Sequence, residues 1–156
     1  MDLVFREMEL ADHLLAFRRL AHLNWEETVA GGGVGSAPFV LDHLWYAALN
    51  RTGCHCLVGA ETPDGEVVGY ASLFIAPAPT LGGRLVGQAD AVFLHPQWRQ
   101  GWNGMALLKA AETALSRRGV EIMEVRSPAH GRGMDILFQR FGARLQERVY
   151  MKELGS

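Results

Sequence analysis

Apolar residues along this chain keep two different periods, and the switches between them mark its elements. Leu3 to Phe5 reads as a short first strand. Leu10, Leu14, Phe17 and Ala21 then recur at helical spacing, with Arg18 and Arg19 off that face. The stretch from Ala30 to Gly35 contains four glycines and breaks the pattern. Ser36 as N-cap and Pro38 in the first turn predict a second helix through Leu41, Leu44 and Ala48 that stops near Gly53. Cys54 to Ala60 and Glu66 to Ala76 read as an antiparallel hairpin around Thr62-Pro63-Asp64-Gly65, where Pro sets φ and Gly takes positive φ. After the loop from Pro77 to Gly83, Leu85 to Leu94 forms a further strand that ends at Pro96.

A helix follows from about Trp102 to Arg118, with Gly104, Leu107, Leu108, Ala111 and Leu115 on its apolar face. Arg117 and Arg118 suit its C-terminal end, and Gly119 closes it. Val120 to Val125 is a strand one helix after Leu94, so the two should run parallel with a right-handed crossover. A loop from Ser127 to Arg132, a short helix from Met134 to Phe141 closed by Gly142, and a last strand from Leu145 to Leu154 complete the chain. This order predicts an α/β fold with a central mixed sheet, formed by one domain over residues 1–154. The 156 residues suit one domain of ordinary size, and 49% of them are apolar, enough for one core.

Composition narrows the classes. No apolar run approaches the roughly 18 to 20 residues that cross a bilayer, and the N-terminus lacks a basic start followed by an apolar stretch. A net charge of −2 argues against a nucleic-acid footprint. Cys54 and Cys56 share one strand face, where a bridge would be strained, so both are expected reduced and the compartment cytoplasmic. Neither they nor His55, which would face the other way, make a metal site, and no metal is expected.

The chemistry concentrates between Val92 and Leu108. There a strand runs into a glycine-containing turn that opens a helix. Such a turn presents free backbone N–H groups at the positive helix end, an arrangement that binds phosphate. Gly101 and Gly104 remove Cβ atoms that would hold an anion off the backbone, and Arg99 can contact either the phosphate or the loop itself. The plainer alternative is that both glycines only let the helix pack closely. Neither G-x-G-x-x-G nor G-x-x-x-x-G-K-[ST] is present.

His95-Pro96-Gln97-Trp98-Arg99-Gln100-Gly101-Trp102-Asn103-Gly104 resembles the acyl-CoA loop of the GCN5-related N-acetyltransferase (GNAT) superfamily, written [RQ]-x-x-G-x-[GA]. Arg99 matches its first position and Gly104 its last. Leu137 to Gly142 resembles the family's L-Y-x-[KR]-x-G helix end, and the element order matches over essentially the whole chain. The loop form and Val149 to Lys152 are also similar to acetyltransferases of bacteriophage genomes. Two positions depart from the pattern. Trp102 stands where the first loop glycine is expected, and Phe138 stands where many members have a proton-donating Tyr.

The resemblance implies a GNAT fold, acetyl-CoA as co-substrate, and acetyl transfer to a primary amine, carried by a small molecule or a protein, by direct attack. A homodimer is compatible with it. It places the pantetheine arm in a splay between the strands ending at Leu94 and Val125. Backbone groups of Val92 and Leu94 would hold the arm, and Arg99, Gln100, Gly101, Trp102, Asn103 and Gly104 the diphosphate. The N–H of Leu94 is the candidate oxyanion donor. Asp90 is the candidate base, on the face of Val92 and Leu94, where burial beside the cofactor would suit it to proton abstraction; a solvent-facing strand Asp is the plainer alternative. With Phe138 unable to donate, His130 and Tyr150 are the candidate acids. His13, His22, His43 and His55 are expected on the surface. Trp25 with Glu26 or Glu27 could hold a cationic acceptor. A non-catalytic acyl-CoA-binding sensor or interaction module is the alternative function.

Overall fold

The computed structural model describes residues 2–28, 38–128 and 132–155. Its elements are β1 (Val4–Met8), α1 (Leu14–Thr28), α2 (His43–Arg51), β2 (His55–Glu61), β3 (Val67–Ala78), β4 (Arg84–Leu94), α3 (Asn103–Arg117), β5 (Ile122–Glu124) and α4 (Arg132–Phe141). The strands form one sheet in the order β1-β2-β3-β4-β5. The first four pair antiparallel, and β5 pairs parallel to β4 with α3 between them in the chain. The expected mixed α/β sheet is therefore present.

Alternation along β2 sorts the two faces. Cys56 and Val58 point to one side, where they pack with Ala71, Leu73 and Ala89 beneath Leu107, Ala111, Ala114 and Leu115 of α3. Leu57 points to the other, where Tyr70 and Phe93 meet Phe17, Leu20 and Ala21 of α1. Arg18 and Arg19 of α1 are exposed, as the helical period requires. Close packing of α3 on the sheet depends on Gly87: a Cβ there would lie 2.7 Å from Leu115 Cδ1. The hairpin turn closes with Gly65 at φ 86° and Glu66 N donating to Thr62 Oγ1 at 3.1 Å. Among the described residues no helix is long and apolar enough to cross a membrane.

Three expectations fail. Ser36 lies outside the described residues, and residues 38–42 are not helical. The second helix starts instead at Asp42, whose Oδ1 accepts from Trp45 N at 3.0 Å and so satisfies one of the orphan amides of the first turn. The last strand, Leu145 to Leu154, does not form. A strand needs a ladder partner, and among the described residues this segment has none: Leu145, Val149, Tyr150, Met151 and Leu154 are all exposed. Apolar alternation alone does not supply the pairing.

The third failure is His55, expected at the surface and found fully buried. It lies on the α1/α2 face at the start of β2, beneath Tyr46 and Phe74. Burial, and secondarily the charge of Arg118, push its pKa down from 6.5 to about 4. The unfolded chain therefore binds a proton that the native chain refuses between these two values. Stability should be whole above about pH 6.5 and fall by about 3 kcal/mol as pH drops towards 4. Urea unfolding across that range should show this slope in the wild type and a shallower one in His55→Gln, whatever that variant's stability at pH 7.

Candidate active site

The functional geometry starts from an imbalance around β4. On one side it pairs with β3 from Arg84 to Leu94, but on the other it pairs with β5 only from Val86 to Gln88. His95 N donates to Val68 O at 2.8 Å, which makes 68–95 a hydrogen-bonded pair of the antiparallel ladder. Such pairs alternate with pairs whose amides and carbonyls face outward. Leu94 and Val92, opposite Gly69 and Ala71, occupy the outward positions. Their backbone groups face the side where β5 has ended. Among the described residues that edge of β4 is therefore open beyond Gln88, and Val92 and Leu94 lie on it.

The loop at the end of β4 is tied down by its own side chains. Arg99 Nε donates to Leu94 O at 2.6 Å, and its Nη2 reaches both carboxylate oxygens of Glu27 on α1 at 2.7 and 2.8 Å. Asn103 Nδ2 donates to Trp98 O at 3.0 Å, and Gln100 Nε2 to Gln97 O at 3.2 Å. Of the two readings weighed for Arg99, the structure shows contact with the loop and α1. Glu27 is thereby engaged and is not free to hold an amine. Glu26 sits 3.7 Å from His22, and Trp25 beside Phe39.

The glycines divide between the two readings. Gly101 has φ 66°, a left-handed turn that disfavours any side chain, and a Cβ there would meet nothing within 4 Å. A Cβ on Gly104 would stand 3.2 Å from Leu137 of α4, so this glycine serves helix packing. Trp102 is the N-cap residue of α3, provides no side-chain cap, and has a 78% exposed indole. The first turn of α3 consequently keeps donors that no cap engages.

Asp90 differs from expectation in place and burial. The β3–β4 register shifts between Ser72 and Leu73: Leu73 pairs with Ala89 and Ser72 with Ala91, leaving Asp90 as the extra residue of a β-bulge. The bulge breaks the alternation. Val92 packs on the α3 side, whereas Asp90 accepts from Tyr46 Oη of α2 at 2.6 Å and Ser72 Oγ at 3.3 Å on the opposite face. Asp90 is exposed on that face. Burial and the Asp90 hydrogen bond hold the Tyr46 phenol well above its ordinary range, so it remains a donor. Trp45, Tyr46 and Phe74 stand together beside it, with ring centroids 5.2 to 5.7 Å apart.

His130 lies outside the described residues. Tyr150 is 88% exposed on the segment that forms no strand, and among the described residues no hydrogen bond or ring contact joins it to Asp90 or Leu94. Phe138 is buried in α4. Sequence reasoning missed Tyr46, Ser72 and His55, because no local signal links residues on α2, β2 and β3 to a bulge in β4.

The Acetyltransferase (GNAT) family model matches residues 17–143, the stretch that contains the open edge of β4, the loop and Asp90. The chain belongs to the GNAT family. It is 31% identical over 105 residues to a glucosamine 6-phosphate N-acetyltransferase of Trypanosoma brucei brucei, a match covering 67% of this chain and 64% of that relative's length. A crystal structure of a Trypanosoma brucei acetyltransferase is similar over 98% of this chain and 100% of that one, with 25% identity and a TM-score of 0.72. AAC(6')-Iy, in complex with the bisubstrate analogue CoA-S-monomethyl-acetylneamine, shares the fold at 21% identity over the full length of both chains, with a TM-score of 0.73. The narrower bacteriophage likeness gains no support from these relatives.

The tie between Arg99 and Glu27 joins this GNAT loop to α1 through two exposed groups. In a double-mutant cycle with Glu27→Gln and Arg99→Gln, the coupling should be about 1 kcal/mol at low salt and shrink at 1 M salt. Thermal unfolding of the four proteins measures it, and a salt-independent coupling would contradict a solvent-screened pair.

Proposed function

We propose that this chain transfers an acetyl group from acetyl-CoA to a primary amine by direct attack. The observation that carries the reading is the open edge of β4 leading into the uncapped start of α3. An extended pantetheine arm is bounded by amide-type groups and can pair with the outward positions of Val92 and Leu94 as an added strand does. Its diphosphate would meet the amides that open α3, where the helix dipole favours negative charge. Gly101 keeps side-chain bulk from that approach, and the clamp of Arg99 on Leu94 O fixes the strand end from which the Leu94 N–H projects.

In the reaction the amine nitrogen attacks the thioester carbonyl carbon. The C–S bond breaks and the sulfur leaves as thiolate. Charge develops on the carbonyl oxygen, which the N–H of Leu94 stabilises from a backbone already held in place. The attacking nitrogen loses a proton to Asp90, the carboxylate beside the open side of the sheet. An ordinary thiol titrates at about 8.5, so the departing sulfur can take its proton from water. Phe138 therefore does not bar turnover. His130, outside the described residues, and Tyr150 are the candidate donors in this reading.

The acceptor is a small-molecule amine, a reading supported by the relative that acts on glucosamine 6-phosphate. The exposed Trp102 and the missing family tyrosine favour a second reading, an acyl-CoA-binding module without turnover. Thiol release from acetyl-CoA over a panel of amines separates the two: steady turnover with any amine excludes the pure binder. In the enzyme, Asp90→Asn should lower kcat/KM about 100-fold and remove the acid limb of the pH–rate profile, with CoA affinity by calorimetry unchanged. An unaltered profile would take Asp90 out of the mechanism.

A further inference from the structure

Buried polar groups of a sheet need a reason, and one line of them crosses this sheet from the first residues of the chain to Asp90. Leu10 N donates to Asn50 Oδ1 at 3.1 Å, which fixes the orientation of that side-chain amide. The group that Asn50 turns to His55 is then its Nδ2, 3.1 Å from Nδ1 of the ring. An amide NH2 only donates, so Nδ1 accepts and the neutral ring carries its proton on Nε2. Nε2 lies 2.7 Å from Ser72 Oγ. The ring donates there, and the hydroxyl proton of Ser72 is left for Asp90 Oδ2, 3.3 Å away. Tyr46 donates to the same oxygen at 2.6 Å. His55 and Ser72 are both fully buried.

We propose that Asn50, His55, Ser72 and Tyr46 are positioning residues, forming a one-way chain of donors that fastens Asp90 by Oδ2 and presents Oδ1 to the acceptor amine. The proposal rests on Asp90 taking the amine's proton and says how that carboxylate is aimed. Every bond recorded among the described residues falls on Oδ2. A bulged residue has lost its place in the alternation of side chains, and two donors from different elements replace that constraint. The direction also decides where the proton goes. Passing a proton from Asp90 back through Ser72 would need the His55 tautomer to reverse, and the NH2 of Asn50 opposes that reversal. A proton gained at Oδ1 therefore leaves to water on the exposed side of Asp90. The chain holds the base and does not carry its proton.

The groups around Asp90 come from several elements. Tyr46 faces it from α2, Ser72 and Tyr70 from β3, and His55 stands behind Ser72 on β2. The Tyr70 phenol, raised first by burial and then by the charge of Asp90, is a neutral neighbour, with Asn24 of α1 as its partner. On the β5 side the Glu124 carboxylate is engaged by Gln88 and Arg126. Arg118, beyond His55, contacts the His55 carbonyl and pairs with Glu7.

Two readouts on the full chain test the proposal. Ring nitrogen NMR should place the His55 proton on Nε2 from pH 6 to 8, and Asp90→Asn should move that N–H resonance through Ser72. A proton on Nδ1, or a resonance indifferent to Asp90→Asn, overturns the chain. The second readout is the pH–rate profile of thiol release with glucosamine 6-phosphate as the probe amine, followed through a wider amine panel if that probe is inert. Tyr46→Phe should raise the midpoint of the acid limb by about one pH unit and lower the high-pH plateau several-fold, Ser72→Ala should do both to a smaller degree, and Ser72→Thr should restore the wild-type limb. A limb lost in Asp90→Asn but unmoved in Tyr46→Phe and Ser72→Ala overturns the positioning role alone. A limb that survives Asp90→Asn overturns the base assignment beneath it, while the NMR still reports whether the chain of donors exists.

Discussion

Among the described residues β4 has a neighbour along its length on one side and for three residues on the other. That unequal pairing is the constraint on which the site depends. A strand buried in a sheet normally has both rows of backbone groups satisfied, and leaving a row open costs free energy unless something else bonds to it. Here the open row lies at the end of the strand, beside a helix start with uncapped amides. In the proposed function, a ligand that is extended and amide-like at one end and doubly anionic at the other would satisfy both deficits at once. The outward carbonyl of Leu94 is bonded by Arg99, whose guanidinium also reaches α1 through Glu27. The same clamp therefore fixes the strand end and joins it to the helix bordering the opposite face.

Function on this sheet is divided between its faces. The α3 face is dry and closely packed, to the point that Gly87 and Gly104 stand where a Cβ would press on Leu115 or Leu137. The α1/α2 face carries the polar groups: His55, Ser72, Asp90 and Tyr46, walled by Trp45 and Phe74. A single extra residue in β4 transfers Asp90 from the register of the packed face to the polar one. Without the bulge, the carboxylate and the outward amides of Val92 and Leu94 would keep a simple alternation, and Tyr46 and Ser72 would have no acceptor.

Much of this was legible in the sequence, for identifiable reasons. The turns at Gly65, Gly119 and Gly142 take the positive φ that their positions called for. The helical period that includes Phe17 and Ala21, and that of Leu107, Leu108, Ala111 and Leu115, puts these residues in the core. The loop from His95 to Gly104 carried the family resemblance. What was not legible depends on pairing between distant parts of the chain. The bulge at Asp90 is a relation between β3 and β4. The burial of His55 follows from α2 lying over it, and its partner Asn50 was an unremarked residue near a helix end. Leu145 to Leu154 has a strand's alternation but no edge to which it pairs, so a local pattern gave a wrong element. The second helix was expected to open at Ser36, and it opens instead at Asp42, whose carboxylate caps it.

The most direct measurement is a crystal structure of this chain with acetyl-CoA. The account predicts the thioester oxygen within hydrogen-bond distance of Leu94 N, the pantetheine arm paired along Val92 and Leu94, and the diphosphate on the amides that open α3. Acetyl-CoA bound elsewhere, or the open row of β4 filled by protein while the cofactor binds, would contradict it.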